Sequence, residues 1–208
     1  SLGSIYALIA LGYTMVYGIA KMLNFAHGDI IMVGAYAVIT AVFTMGLPPF
    51  IAILISIALC ALLGIVIEFL AYRPLRQAQP LAVLITAIGV SYLLQNLALL
   101  IYGSEQKAFP TIVALPTVHI GGVYIDGITL ATLVVTAVIM VALSLFINKT
   151  RMGKAMRAVS EDKEAAELMG ISVNRTITVT FAIGSALAGV AAIFYGAAYT
   201  YIRPTTGA

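Results

Sequence analysis

Long apolar runs alternate with short polar breaks along this chain, and the runs have the length of membrane crossings. Six are marked: Leu2–Ala20, Asp29–Met45, Pro49–Leu70, Leu81–Tyr102, Ile128–Ile147 and Thr176–Tyr199. Each is near the ~20 residues a helix needs to cross the hydrocarbon. Helix is the expected state, because lipid offers backbone N–H and C=O groups no outside partner. The pattern predicts an all-α, polytopic transmembrane helical bundle of about six spans, forming one membrane domain over residues 1–208. The second run is the shortest. The break before it, Asn24-Phe25-Ala26-His27-Gly28-Asp29, fits either a cytoplasmic turn or a re-entrant kink. Two full crossings put Ser1 outside; a kink puts it inside. The last run pairs small residues four apart, Gly184/Ala188, Ser185/Gly189 and Ala192/Gly196. Such a face lets two helix backbones approach closely, within the chain or against a partner.

Composition excludes a soluble domain. The chain is 62% hydrophobic and 9% charged, with mean hydropathy +1.08, whereas soluble domains carry about a quarter charged residues. Its lipid contact is therefore extensive, and the net charge of +3 reflects loop residues rather than a nucleic-acid partner. Cys60, the single cysteine, falls mid-span and reads as a packing residue, with no internal disulfide possible. The start at Ser1 and the end just after a Pro turn predict a fragment trimmed at both ends. No signal peptide is recognisable, since Leu2–Ala20 has the length of a span.

Charge is gathered rather than spread. Ten of the 19 charged residues (11 basic, 8 acidic) lie between Lys149 and Arg175. Ala71–Pro80 holds Arg73 and Arg76 without an acid. Two spans separate these segments, so both face one side, and their basic excess makes that side the cytoplasm. Gly103–Gly127 then lies outside, with Val118–Val123 as a short hairpin or irregular loop. Asn148-Lys149-Thr150 and Asn174-Arg175-Thr176 match the glycosylation pattern but fall on the cytoplasmic side. Tyr72, Tyr102, Tyr199 and Tyr201 fall at span ends, as interfacial aromatics do.

Within the charged segment 149–175, residues 160–170 read as a short helix with a defined stop. Ser160 is placed as its N-cap, Glu161 and Asp162 favour its positive end, and Gly170 suits a left-handed closing turn. Ala165, Leu168 and Met169 form a small apolar face, edged by Glu164 and Glu167. About two turns of helix are barely stable alone in water. The segment is either an ordinary solvated loop helix or one held by a partner. The chain has no phosphate-binding loop, because Gly153-Lys154 is followed by Ala155 and lacks the preceding glycine spacing.

Glu164-Ala165-Ala166, three residues and Gly170 together resemble the cytoplasmic signature of ABC importer permeases. Further motifs resemble branched-chain amino acid permeases of the LivH type. They are Gly12-Tyr13-Thr14-Met15-Val16-Tyr17-Gly18, the Asn24–Asp29 break, Tyr72-Arg73-Pro74-Leu75-Arg76, Ala87-Ile88-Gly89 with Leu94-Gln95-Asn96, and Arg151-Met152-Gly153. The resemblance runs in order from Leu2 to Pro204. One departure is the missing Leu-Pro pair after Gly170, as in the branched-chain and sugar permease branch.

The resemblance implies a multi-pass subunit of a bacterial-type inner membrane. It would import branched-chain amino acids, or related small amino acids and amides, by alternating access. It implies a second permease, two ATPase subunits and an external substrate-binding protein as partners. This chain would bind no cofactor and catalyse no covalent step; ATP and Mg would sit on the ATPases. Glu161, Glu164, Ala165, Ala166, Leu168 and Gly170 would couple to the ATPase, with Leu168 or Met169 as the apolar anchor.

Polar residues within spans are candidates for a substrate path. Ser91 and Gln95 share a helix face, with Thr86 and Asn96 nearby, and Asn24 and His27 lie in the break. The same residues also suit plain interhelical hydrogen bonding. His27 and Asp29 equally suit a helix start with local pairing, and Glu68 suits an ion pair with Arg73. An ATP-independent transporter or channel needs titratable groups at the midplane, where this reading puts almost none. An intramembrane enzyme lacks a nucleophile or metal-ligand set.

Overall fold

The computed structural model describes residues 2–112, 118–120 and 123–207. Six helices in it are long and apolar enough to cross a membrane. They are α1 (Leu2–Ala20), α2 (His27–Ile39, continued by a π turn to Thr44), α3 (Pro49–Ile67, continued by a π turn to Tyr72), α4 (Pro80–Tyr102), α5 (Gly127–Lys149) and, last in the chain, α8 (Val173–Tyr199). Between α5 and α8 lie α6 (Arg151–Glu161) and α7 (Lys163–Leu168). Short strands β1 (Lys107–Ala108), β2 (Val118–Ile120), β3 (Val123–Ile125) and β4 (Tyr201–Ile202) pair antiparallel, β1 with β4 and β2 with β3. Of the hairpin or irregular loop expected near 118–123, the structure has the hairpin, and its turn at 121–122 lies outside the described residues.

Local sequence sets the boundaries. Pro49 and Pro80 open α3 and α4 after extended residues Pro48 and Gln79, because a proline in the first turn sacrifices only an N–H that has no partner anyway. Gly103, at φ +80°, closes α4, a conformation that costs a glycine little. The Ser172 hydroxyl accepts from Arg175 N and starts α8 three residues before the expected Thr176.

The centre of the bundle is α8. In its most apolar stretch 67% of the residues are buried, against 11% for α5. Its small residues explain this. A Cβ on Gly189 would lie 2.9 Å from the Ile57 Cα of α3, and a Cβ on Gly184 would lie 2.6 Å from Val16 Cγ2 of α1. The small-residue face is therefore used within the chain, against α3 on one side and α1 on the other. Outward faces of α3, α4 and α5 stay apolar and open, as at Phe50, Leu62, Leu100, Ile101 and Val138, which suits a surface meeting lipid.

The two ends are chemically distinct. At one end Tyr6 of α1 meets Tyr199 of α8, hydroxyls 3.4 Å apart, and Tyr36 of α2 stacks on Tyr102 of α4 at 4.2 Å. Two basic residues, Lys107 and Arg203, lie there. The opposite end collects nine: Lys21, Arg73, Arg76, Lys149, Arg151, Lys154, Arg157, Lys163 and Arg175. By the positive-inside rule that end faces the cytoplasm. The start of α1 is then outside, and α1 and α2 lie on successive passes.

Replacing Gly189 by valine drives a branched side chain into α3 backbone. Overpacking of this kind costs about 2 kcal/mol. Gly189→Val is expected to lower the melting temperature in detergent, followed by circular dichroism, while Gly18→Ala, with nothing within 4 Å of its Cβ position, leaves it unchanged.

Candidate functional site

The polar break between α1 and α2 resolves the two alternatives for residues 24–29. Its first part is at the cytoplasmic end: the Tyr72 hydroxyl donates to Leu23 O at 3.2 Å and to Asn24 Oδ1 at 3.1 Å. Tyr72 is fully buried in doing so, not an interfacial aromatic. Lys21, at φ +56°, ends α1. The chain then climbs back into the bundle. A Cβ on Gly12 would lie 2.8 Å from the His27 ring, so that ring is level with a residue eight positions, or roughly 12 Å, above the end of α1. The turn is cytoplasmic and sidedness is unchanged, yet α2 starts inside the bilayer.

This re-entry buries Asn24, His27 and Asp29 at 2%, 2% and 0% exposure. Asp29 lies in the first turn of α2, where helix N–H dipoles favour a carboxylate. Its Oδ1 accepts from Gln95 Nε2 of α4 at 3.1 Å, and the same nitrogen is 3.1 Å from Ser91 Oγ. Asp29 thus stands at a helix start, as one reading of the sequence had it, but its partner is Gln95 of α4 and not a local one. It is a carboxylate inside the bundle, clamped between two helices. Asp29 Oδ2, Asn24 Nδ2 and both His27 nitrogens make no well-formed hydrogen bond among the described residues. Buried polar atoms are normally partnered, so the Asp29 carboxylate, beside Gln95 and Ser91, is the group here with capacity for a ligand.

A cavity of about 310 Å³ opens beside it, lined by Phe25, Ile88, Ser91, Tyr92, Gln95 and Gly207. The segment after β4 reaches the same place: a turn in which Arg203 N donates to Thr206 Oγ1 at 2.8 Å brings Gly207 backbone against Gly28. Any side chain at Gly28 would collide with Gly207 O. Of the other sequence candidates, Thr86 is half-buried and makes no side-chain hydrogen bond among the described residues. Asn96 is exposed and turns back to Tyr92 O at 2.7 Å. Ser91 and Gln95 are the ones brought together, with Asp29 between them, while Asn24 bonds to Tyr72 and His27 lies against Gly12 of α1.

At the cytoplasmic end the charged segment forms two helices rather than one. α6 was not marked in the sequence, although its Thr150 cap is legible there: Thr150 Oγ1 accepts from Gly153 N at 2.9 Å. Gly153 packs against Ile147 and Phe146 backbone, while Met156 and Val159 are buried and fix α6 beneath the spans. Ser160, expected as a cap, belongs to the last turn of α6 and donates to Arg157 O at 2.7 Å. The cap of α7 is Asp162, whose Oδ1 accepts from Glu164 N at 2.9 Å and Ala165 N at 3.0 Å. The expected stop is present: Gly170 adopts φ +82°.

The expected apolar face of α7, Ala165, Leu168 and Met169, lies uncovered. Ala166 is the buried residue, whereas Ala165, Glu161, Glu164 and Glu167 are exposed. Leu168 and Met169 are 89% and 82% exposed. Two large apolar side chains thus project into water next to an acidic edge. On the other side of α7, Lys163 Nζ donates to Ala20 O at 2.9 Å, supplying a donor to a carbonyl at the α1 terminus. Burial first, and then the Arg76 and Lys21 cations, hold its ammonium below the usual lysine range.

Glu68 also corrects a sequence expectation. It pairs with Arg76, not Arg73. Thr178 of α8 donates to its other oxygen at 2.7 Å, and Arg76 also donates to Asn174. Arg73 instead lies over the Phe69 ring, 5.2 Å from its centroid. Between Glu68 and Arg76 the chain passes through the π turn at Glu68–Tyr72 and a 3-10 turn at Arg73–Leu75, which re-phase the residues that follow.

A bundle of six crossing helices with a polar re-entry and an attached cytoplasmic helical unit defines a multi-pass membrane protein. Residues 1–208 match the family model described as branched-chain amino acid transport system, permease component, and the chain belongs to that family. It is 44% identical over 219 residues to the high-affinity branched-chain amino acid transport system permease protein BraD of Pseudomonas aeruginosa, covering 100% of this chain and 71% of that protein. It is 41% identical over 226 residues to LivH of Escherichia coli K12, with the same coverage of 100% and 71%. To a probable LivH of Methanocaldococcus jannaschii it is 28% identical, covering 90% and 61%. No solved structure matches it. The chain is thus a transport permease subunit.

Because Glu68 is fully buried, removing only its partner strands a charge, which costs about 3 kcal/mol. Arg76→Met is expected to lower thermal stability strongly in a detergent melt, and Glu68→Gln/Arg76→Met to recover most of the loss.

Proposed function

We propose that this permease carries branched-chain amino acids into the cytoplasm, driven by ATP hydrolysis on separate ATPase subunits. It works in a bacterial-type inner membrane with a second permease, two ATPases holding ATP and Mg, and an external binding protein. The observation that carries the reading is the exposed pair Leu168 and Met169 on α7. Large apolar side chains clustered on a polar cytoplasmic surface mark a protein contact. The nearby carboxylates Glu161, Glu164 and Glu167 give that contact a sign, so the opposing groove on the ATPase is apolar with a basic edge.

Movement reaches the spans by two rigid links. Lys163 ties α7 to the last carbonyls of α1. α6, packed through Met156 and Val159, carries α7 on the cytoplasmic end of the bundle. A displacement of α7 therefore pulls on the segment that turns into the polar re-entry. The substrate passes beside Asp29, Gln95 and Ser91, where the carboxylate suits an α-ammonium group and the apolar walls Phe25 and Ile88 suit a branched side chain. The relatives named above carry the same substrate class in their descriptions.

A second reading draws on the buried Asp29: an ATP-independent transporter uses such a midplane carboxylate to couple ions. ATP dependence in proteoliposomes decides between them. Uptake that needs internal ATP and the ATPase subunits supports the import reading; uptake driven by an ion gradient alone overturns it.

Both Leu168 and Glu164 are exposed, so substituting them spares the fold. Glu164→Lys/Leu168→Asp is expected to leave the melting temperature unchanged and to lower both ATPase co-purification and uptake by about tenfold or more, the scale of a lost central contact. Gln95→Leu removes the donor to Asp29 and is expected to reduce uptake while ATPase co-purification stays at the wild-type level.

A further inference from the structure

A second cavity, of about 330 Å³, lies at the cytoplasmic end between the close of α1, the segment following α3, the start of α4, and α7. Three cations from three separate segments line it: Lys21, Arg76 and Lys163. Among the described residues no acidic side chain lines it, and the one carboxylate bonded to any of the three is Glu68, which also accepts from Thr178. The cluster thus carries two uncompensated positive charges. Arg76 Nε is buried and has no partner among the described residues. Lys163 is half-buried and points its ammonium at the α1 terminus, while Lys21 is exposed at the mouth.

Gathering cations in a partly dehydrated cavity is unfavourable unless an anion joins them. The mutual repulsion registers in Lys163, whose ammonium is disfavoured by burial and by both neighbouring cations. Tyr17, which lines the cavity, is 49% exposed. The cavity lies at the cytoplasmic end of the spans, and basic pockets on this side of a membrane protein suit phosphate headgroups.

We propose that this cavity binds a phosphate-bearing anion, held by Lys21 and Lys163 beside the Arg76 guanidinium. Because Lys163 belongs to α7 and Lys21 to the end of α1, the anion cements the joint between the cytoplasmic helical unit and the spans. The site is separate from the cluster at Asp29 and from the exposed face of α7.

The test uses the assembled transporter in nanodiscs of phosphatidylcholine with phosphatidylglycerol, and native mass spectrometry of retained lipid. Phosphatidylglycerol is expected to be retained by the wild type. Retention should fall about tenfold in Lys21→Gln/Lys163→Gln, the scale of one charge-assisted hydrogen bond, partly in Lys21→Gln, and not at all in Arg73→Gln, whose side chain lies on Phe69 outside the cavity. Lys21 is exposed, so its single substitution keeps the fold and makes the result readable. A parallel arm titrates inorganic phosphate into phosphatidylcholine-only nanodiscs and follows phosphorus NMR line broadening. Saturable broadening that needs Lys21 and Lys163, without retained phosphatidylglycerol, assigns the site to free phosphate and supports the same chemistry. Equal retention and equal broadening in wild type and in both lysine variants overturns the proposal.

Discussion

Close backbone approach along α8 is the constraint on which the bundle depends. In lipid the hydrophobic effect does not press helices together, so packing and polar contacts must. Gly184 and Gly189 let α1 and α3 come to van der Waals contact on either side of one helix. Gly34 of α2 closes against Ala192 and Cys60 in the same way, and the Ser56 hydroxyl donates to Gly34 O at 2.9 Å. Four helices thereby share one seam, and α4 and α5 are left at the periphery with open apolar faces. Those faces remain free to meet lipid or protein without disturbing the core.

With the core so tightly closed, polar groups can enter it only where the chain itself makes room. The re-entry at 21–27 does this at the cost of a helical turn, and the buried hydroxyl of Tyr72 braces it from below. Glu68 performs a parallel task one layer closer to the cytoplasm, joining α3, the following turn and α8 through Arg76, Asn174 and Thr178. Each polar group there bridges two elements, so none of these helix ends shifts independently. Asp29 is the contrasting case: it bridges α2 to α4 through one oxygen and keeps the other free. A structural polar contact tends to be satisfied on both sides; a binding group keeps capacity in reserve.

The cytoplasmic unit divides labour between its two helices. α6 is amphipathic and buries Met156 and Val159, so its stability comes from docking on the spans. α7 is too short to be stable by itself and relies on the Asp162 cap, the Ala166 contact and the Lys163 link. It is thereby held in place with its apolar residues still outward, the reverse of what burial of apolar surface favours. Such an arrangement suits a surface awaiting a partner.

Residue type and spacing alone determined the class of this protein, its six crossings, the side on which its charge collects and the stop at Gly170. These follow from transfer free energies and backbone geometry, which depend on a residue and its near neighbours. The family motifs were legible for the same reason, being local. Tertiary structure decided which distant groups met. Sequence spacing put Glu68 near Arg73, but a π turn followed by a 3-10 turn handed it to Arg76. Asp29 looked like a residue near a span end until the climb of 25–27 placed it against Gln95, 66 positions away. Ser160 was the expected cap, but it falls in the last turn of α6, and Asp162 caps α7 instead. Hydrophobicity sums along a chain, whereas a hydrogen bond needs two groups at one point in space, and only the folded packing brings them there.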